Sequence, residues 1–171
     1  MTPEYIAGLK DSMSLLADAD AFFVGQAVGT QGTFMSGTLE HIPIEQRIEF
    51  PVMENSQLGF CTGIAMAGGL PVCIFPRINF MLEAISQLVQ HLDKIPLFSD
   101  YRPKVIIRTA IATPIPLDAG PQHLGDYSDA VAAMLSTVKV VKLLTADQIV
   151  PEYKAAMERE GSTLLIEDYN V

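Results

Sequence analysis

Glu54 has the surroundings of a carboxyl group that could do acid–base chemistry. It ends the segment Glu49-Phe50-Pro51-Val52-Met53-Glu54 and precedes the small-residue run Gly59-Phe60-Cys61-Thr62-Gly63-Ile64-Ala65-Met66-Ala67-Gly68-Gly69. A carboxylate between an apolar strand end and a Gly/Ala-rich helix is expected to be partly desolvated, and desolvation favours a carboxyl that gives and takes protons near neutral pH. The local pattern leaves a plainer role open, because an acidic side chain also suits a helix N-terminus. His123 lies in Ala119-Gly120-Pro121-Gln122-His123, at the end of a stretch that also holds Pro114 and Pro116. An imidazole there can act as acid or base near neutrality, or simply steady a Pro-rich turn. Phe80 opens an apolar segment and suits either ring stacking or a helix–sheet core. His41 and His91 lack such a context and read as surface residues. Asp126 and Asp129 read as loop and helix-start acids.

The elements that must position these residues alternate along the chain. Tyr5, Ile6, Leu9, Met13 and Leu16 recur at helical spacing, which predicts a helix over 3–17. Further helices are predicted over 79–92, with Phe80, Ala84, Leu88 and Leu92 on one stripe, and over 128–135 and 146–159. Strands are predicted at 21–24, 47–50, 70–75 (its Pro71 at the strand start), 104–108, 138–141 and 163–166. Continuous β-branched runs between helices argue for an α/β fold: a single three-layer domain, its sheet mostly parallel, with helices on both faces. No internal repeat, low-complexity tract or linker divides residues 1–171. The glycine-bearing segment 25–34 and the stretch 109–122 follow the carboxyl ends of predicted strands, where open parallel sheets bind ligands. Glu54 follows another strand on that side, so Glu54, Phe80 and His123 are expected on one edge.

Composition narrows the partners. A net charge of −9 argues against nucleic acid, which calls for a basic face. No apolar run reaches membrane-spanning length and no secretory signal is evident, so a cytoplasmic protein is expected. The two cysteines, Cys61 and Cys73, sit in apolar segments and suit buried reduced thiols rather than a metal pair.

Four stretches, taken together, resemble the pyrimidine-binding (Pyr) domain of transketolase-like thiamine diphosphate enzymes, and most of all the β subunit of the E1 component of 2-oxoacid dehydrogenases. They are Val24-Gly25-Gln26-Ala27-Val28 with Gly32-Thr33-Phe34; Arg47-Ile48 through Glu54 with Gly59-Phe60 and Gly63–Gly68; Phe75-Pro76-Arg77-Ile78-Asn79-Phe80 with Ala84-Ile85 and Gln87; and Ala119-Gly120-Pro121-Gln122-His123. The resemblance implies the thiamine diphosphate-binding fold. It assigns Glu54 to the glutamate that hydrogen-bonds the cofactor's aminopyrimidine, Phe80 to the aromatic that packs on that ring, Glu83 to its vicinity, and His123 to the substrate side. The cofactor acts as the electron sink. Three positions depart from the family: Gln26 stands where an acidic residue is usual, Ser86 replaces a common aspartate, and Pro76 replaces a less restrictive residue.

The resemblance also implies a partner. The diphosphate and its magnesium are held mainly by a second, PP domain with Gly-Asp-Gly and a downstream Asn, and neither motif occurs here. The expectation is therefore the Pyr subunit of a split enzyme, active only with a PP chain, in the simplest case as α2β2. Such an enzyme, a transketolase-like transferase or an E1-type subunit, makes or breaks a C–C bond next to the carbonyl of a 2-keto substrate. A two-chain 2-oxoacid decarboxylase and a non-catalytic assembly subunit are the alternatives.

Overall fold

A computed structural model describes residues 1–30, 32–114 and 118–170; Gln31 and Pro116 lie outside the described residues. Along the chain the elements are α1 (Pro3–Asp18), β1 (Phe22–Gly25), α2 (Phe34–Gly37), β2 (Arg47–Glu49), α3 (Glu54–Met66), β3 (Pro71–Ile74), α4 (Ile78–Met81), α5 (Ile95–Phe98), β4 (Ile106–Ile111), α6 (Ser128–Met134), β5 (Lys139–Leu143), α7 (Ala146–Glu158) and β6 (Thr163–Asp168). The strands form one six-stranded sheet in the order β2-β1-β3-β4-β6-β5, and every pairing is parallel. Pro71 is the first residue of β3, where its missing N–H does least harm.

Alternation along the strands makes two cores. Phe23, Val72, Ile74, Ile106, Ala110 and Leu165 face α1 and α7, where Tyr5, Leu9, Met13, Leu16, Ile149 and Tyr153 meet them. Val24, Cys73, Phe75, Ile107, Ile111, Leu164 and Ile166 face the other side, against Leu58 and Cys61 of α3, Met81 of α4 and Val131 of α6. The sheet is thus covered on both faces, and Cys61 and Cys73 are free, buried thiols.

The helix expected over 79–92 is not one helix. It runs as α4, a 3-10 turn Leu82–Ala84 and a π-helical segment Gln87–Leu92. Its buried positions explain the change of pitch. Ile78, Met81 and Ala84 repeat every third residue, as a 3-10 turn requires, whereas Ala84, Leu88 and Leu92 repeat every fourth, which needs a wider turn. Phe80 therefore leaves the predicted stripe: Ile78 and Met81 take the core, and Phe80 is half-buried on another side. β4 also reaches farther than 104–108, to Ile111, so the following loop begins at Ala112 rather than Thr109.

One polar cluster is buried around Glu167, with Tyr169 half-buried at its edge. The Arg108 guanidinium on β4 donates from Nε to Glu167 Oε1 at 2.5 Å, from Nη2 to Oε2 at 3.3 Å, and from Nη1 to Thr38 Oγ1 at 2.8 Å. The Tyr153 and Tyr169 hydroxyls donate to the same carboxylate at 3.0 and 2.7 Å. Burial, and then the Glu167 charge, pushes both phenols well above their usual range, so they remain donors. The cluster ties the segment after α2 to β4 and β6, with every charge partnered.

Candidate active site

The strand order reverses direction between β1 and β3: the chain moves outward to β2, then returns across β1. Ligands in open α/β sheets bind beyond the carboxyl ends of the strands at such a switch point. Gly25, the last residue of β1, is needed there, since a Cβ on it would lie 2.4 Å from the Ile74 carbonyl oxygen of β3. Next, Gln26 leaves the strand and Ala27 takes a left-handed conformation, φ 54°, a costly state for a residue with a Cβ.

Across this gap sits Glu54, the first residue of α3, with only 7% of its surface exposed. Gln26 Nε2 donates to its Oε1 at 3.0 Å, and Oε2 makes no hydrogen bond among the described residues. Met53 occupies the cap position of α3 without a side-chain cap bond. Glu54 is thus at the helix start, as the capping role requires, yet its carboxylate is engaged by another segment. Beneath it, Gln57 is fully buried; its Nε2 donates to the Ile74 carbonyl at 2.9 Å, and its Oε1 has no partner among the described residues.

A second cluster stands beyond β3 and β4. The rings of Phe80 and His123 lie with centroids 5.4 Å apart, tilted by 48°. Asn79 ties the two segments together, for it sits beside Phe80 and its Nδ2 donates to the Gln122 carbonyl at 2.9 Å. The His123 amide donates to the Gly120 carbonyl at 3.0 Å, closing the turn at a glycine with φ 80°. His123 Nδ1 and Asn79 Oδ1 are buried without hydrogen-bond partners among the described residues. Orphaned polar atoms of this kind are uncommon and mark places where a further group completes the structure. The loop is tied down again at Asp126: burial opposes ionisation, but Lys142 Nζ and the Ser128 hydroxyl and amide outweigh it, holding this carboxyl at about 2.

The segments bearing Glu54, Gln26, Phe80 and His123 follow β2, β1, β3 and β4, four neighbouring strands, and so share one edge of the sheet. Glu83, by contrast, is exposed on the 3-10 turn and joins neither cluster. Exposed apolar side chains flank Glu54 in the chain: Val52 and Met53 just before it, and Phe60 further along α3. Two cavities lie at the opposite edge, one of about 320 Å³ lined by residues such as Leu92, Arg102 and Ser162, the other of about 400 Å³ lined by residues such as Ala65, Gly69 and Lys104. Neither touches the four residues above. Among the described residues, no group of three or more His, Cys, Asp or Glu is placed to hold a metal ion, and no helix is long and apolar enough to cross a membrane. His41 and His91 are exposed, as expected.

Asn79 and Gln57 were not legible as site residues. Asn79 lies within a stretch that carried the resemblance, but nothing in an isolated amide announces its role.

No family model matches the chain. It is similar to the pyruvate dehydrogenase E1 component subunit β of Rhizobium meliloti, 26% identical over 168 residues, covering 94% of this chain and 36% of that protein. It is likewise similar to the mitochondrial subunit β-1 of Arabidopsis thaliana, 29% identical over 141 residues, 81% of this chain and 37% of that protein. The chain thus spans little more than a third of the length of these relatives. In structure it matches a split-gene transketolase solved as an inactive β4 tetramer, with TM-score 0.68, 17% identity, and coverage of 95% of this chain and 48% of that one. A transketolase from Leishmania mexicana gives TM-score 0.70 at 13% identity, over 94% of this chain and 24% of that one. Its sequence relatives are E1 β subunits and its fold is that of transketolases, so the chain resembles the Pyr domain of transketolase-like thiamine diphosphate enzymes.

Proposed function

We propose that this chain is the Pyr subunit of a split thiamine diphosphate-dependent enzyme, transketolase-like or E1 β-like, working with a separate PP-domain chain on a 2-keto substrate. The observation that carries the proposal is the buried Glu54 carboxyl, gripped on one oxygen by Gln26 and open on the other, at the switch point of the sheet. The similarity to E1 β subunits and to one chain of a split-gene transketolase supports the subunit reading.

The residues present fit such a cofactor. Its aminopyrimidine needs a carboxyl partner and an aromatic surface; Glu54 Oε2 and the half-buried ring of Phe80 supply them, and Asn79 Oδ1 and His123 Nδ1 await polar partners. When bound, thiamine diphosphate supplies the electron sink that makes cleavage beside a carbonyl feasible. Glu54 then holds or moves a proton at Oε2 while Gln26 fixes the orientation of its carboxyl plane. His123, its ring beside that of Phe80, would give a proton to, or hydrogen-bond, an oxygen of the substrate. Val52, Met53 and Phe60 form an apolar rim that a PP chain would cover, excluding water from the site. Magnesium is assigned to that partner, and α2β2 is the simplest symmetric assembly.

Calorimetric titration tests this reading. The chain alone is expected to bind thiamine diphosphate and magnesium weakly or not at all, and the co-expressed pair to bind tightly. Tight binding by the chain alone, or a chain that stays monomeric by light scattering beside its PP partner, overturns it.

A further inference from the structure

The loop that follows Gln26, the residue whose side chain grips Glu54, is held by a second carboxylate, which neither the resemblance nor the comparisons assign. Glu49, at the end of β2, accepts hydrogen bonds from three successive backbone amides of the loop after β1. Ala27 N–H reaches Oε1 at 2.7 Å, and Val28 and Gly29 N–H reach Oε2 at 3.0 and 2.7 Å. Successive amides can converge on one anion where the chain folds into a nest around a left-handed residue, and Ala27 is that residue at φ 54°. An alanine in this conformation persists only where its surroundings over-determine it. Here the determinants are the carboxylate, the Arg47 Nη1 bond to the Val28 carbonyl at 3.4 Å, and the close β1–β3 approach at Gly25. The residue between that approach and the nest is Gln26.

We propose that Glu49 is a positioning residue for the acid–base site: by holding the Ala27–Gly29 amides it fixes the Gln26 backbone and aims the Gln26 amide at Glu54. The chemical value of this arrangement rests on the function proposed above; the geometry does not. A hydrogen bond of 3.0 Å tolerates little lateral error, and Gln26 has three side-chain torsions before its amide. Pinning its Cα on both sides removes most of that freedom. Glu49 itself is exposed and touches no part of Glu54, so it acts only through the loop.

The test uses the chain alone, by nitrogen-15 NMR, so its outcome is independent of any cofactor, partner or reaction. The side-chain NH2 signals of Gln26 are assigned by their loss in Gln26→Ala. Glu54→Ala removes the acceptor and sets the position of the released amide. Glu49→Gln keeps shape but offers the three amides only one acceptor oxygen. Its Gln26 signals are expected to move most of the way to the Glu54→Ala position. Gly29→Ala is the milder second variant: its Cβ would stand 3.3 Å from Glu49 Oε2, nudging the carboxylate without removing it, and the same signals should move the same way by less. Glu49→Gln or, if that variant fails to fold, Gly29→Ala displacing only the Ala27–Gly29 backbone amides, with the Gln26 pair at its wild-type position, overturns the proposal. So does a Gln26 signal indifferent to Glu54→Ala. In the complex with a PP chain, Glu49→Gln should lower turnover roughly tenfold to a hundredfold at unchanged KM, the size expected for a displaced catalytic group.

Discussion

Two carboxylates in this molecule use the same device at opposite ends of the sheet. Asp93, after the π-helical segment, accepts from the consecutive amides of Ser136, Thr137 and Val138 at 2.7–3.1 Å, just before β5 begins. Glu49 does the same for Ala27, Val28 and Gly29 just after β1 ends. Asp93 is completely buried, with Lys94 Nζ on its Oδ2 at 2.7 Å. Glu49 is exposed, and two of its three hydrogen bonds, to the Ala27 and Gly29 amides, lie where water can replace it. Around Asp93 the polar atoms are paired: Thr137 Oγ1 bonds its carbonyl, and nearby Ser162 Oγ bonds both Val105 N–H and the Pro103 carbonyl. Beyond Glu49 lie the unpaired atoms of Gln57, Asn79 and His123. The Asp93 carboxylate is thus a closed, buried pairing that contributes stability, whereas the Glu49 carboxylate holds an exposed loop in place beside an acid–base candidate.

The largest expected effect breaks the chemistry and leaves the fold. Glu54→Gln keeps shape and hydrogen-bonding capacity but cannot exchange a proton. In the complex with a PP chain it should lower turnover by roughly 10²–10⁴, the range for a lost acid–base group, with cofactor affinity largely kept. The loss should appear in exchange of the cofactor's C2 proton, read by NMR after acid quench in deuterated solvent. Exchange at the wild-type rate returns Glu54 to a helix-start acid.

Asp93→Asn should do the reverse. Burial opposes ionisation of Asp93, but Lys94 and the Val138, Thr137 and Ser136 amides outweigh it and hold the carboxyl at about 2. A folded value below the unfolded one, near 4, stabilises the protein above the unfolded value, and the contribution is lost as pH falls through the folded one. Asp93→Asn should therefore destabilise by about 2 kcal/mol at pH 7, with the gap closing between about pH 5 and 2. Urea denaturation across that range measures it. A gap that is constant with pH would mean that the charge is not what the amides hold.

His123→Ala should come next. Its ring lies beside that of Phe80, tilted by 48°; under the proposed function it acts at a later step, so C2 exchange should survive while turnover falls about tenfold to a hundredfold. If exchange falls in step with turnover, His123 is instead organising the pocket.

The sequence made the architecture legible because each face of the sheet writes itself into the chain. The continuous apolar runs at 70–75 and 163–166 can only be strands covered on both faces, and they are. Glu54 and His123 stood out as candidates by type and by the breaks around them. For Phe80 the helical stripe with Ala84, Leu88 and Leu92 pointed to the core, and that part fails, because the chain changes pitch twice and turns Phe80 out of the core; its place beside the cofactor rested on the resemblance alone. The short helices α2 and α5, of four residues each, leave too little periodicity to detect. Glu49 and Asp93 stayed invisible because their partners are backbone amides, which every residue but proline carries. No pairing of side-chain types records which amides a fold will bring to a carboxylate.

The smallest expected effect is the sharpest test of the contrast. Glu49 and Asp93 each hold three consecutive backbone amides, so a count of amides alone predicts similar losses of stability for Glu49→Gln and Asp93→Asn. Burial predicts otherwise. The amides released at Asp93 lie where water enters poorly, and an unmade bond there costs about 1–3 kcal/mol. The Ala27 and Gly29 amides released at Glu49 lie at an exposed loop and are promptly solvated. Glu49→Gln should therefore change the free energy of unfolding by less than about 1 kcal/mol, as for other exposed charged contacts. Urea curves of the two variants, run side by side at pH 7, decide the matter. If the two losses match, Glu49 is a structural staple like Asp93, and the contrast between the buried and the exposed carboxylate does not hold.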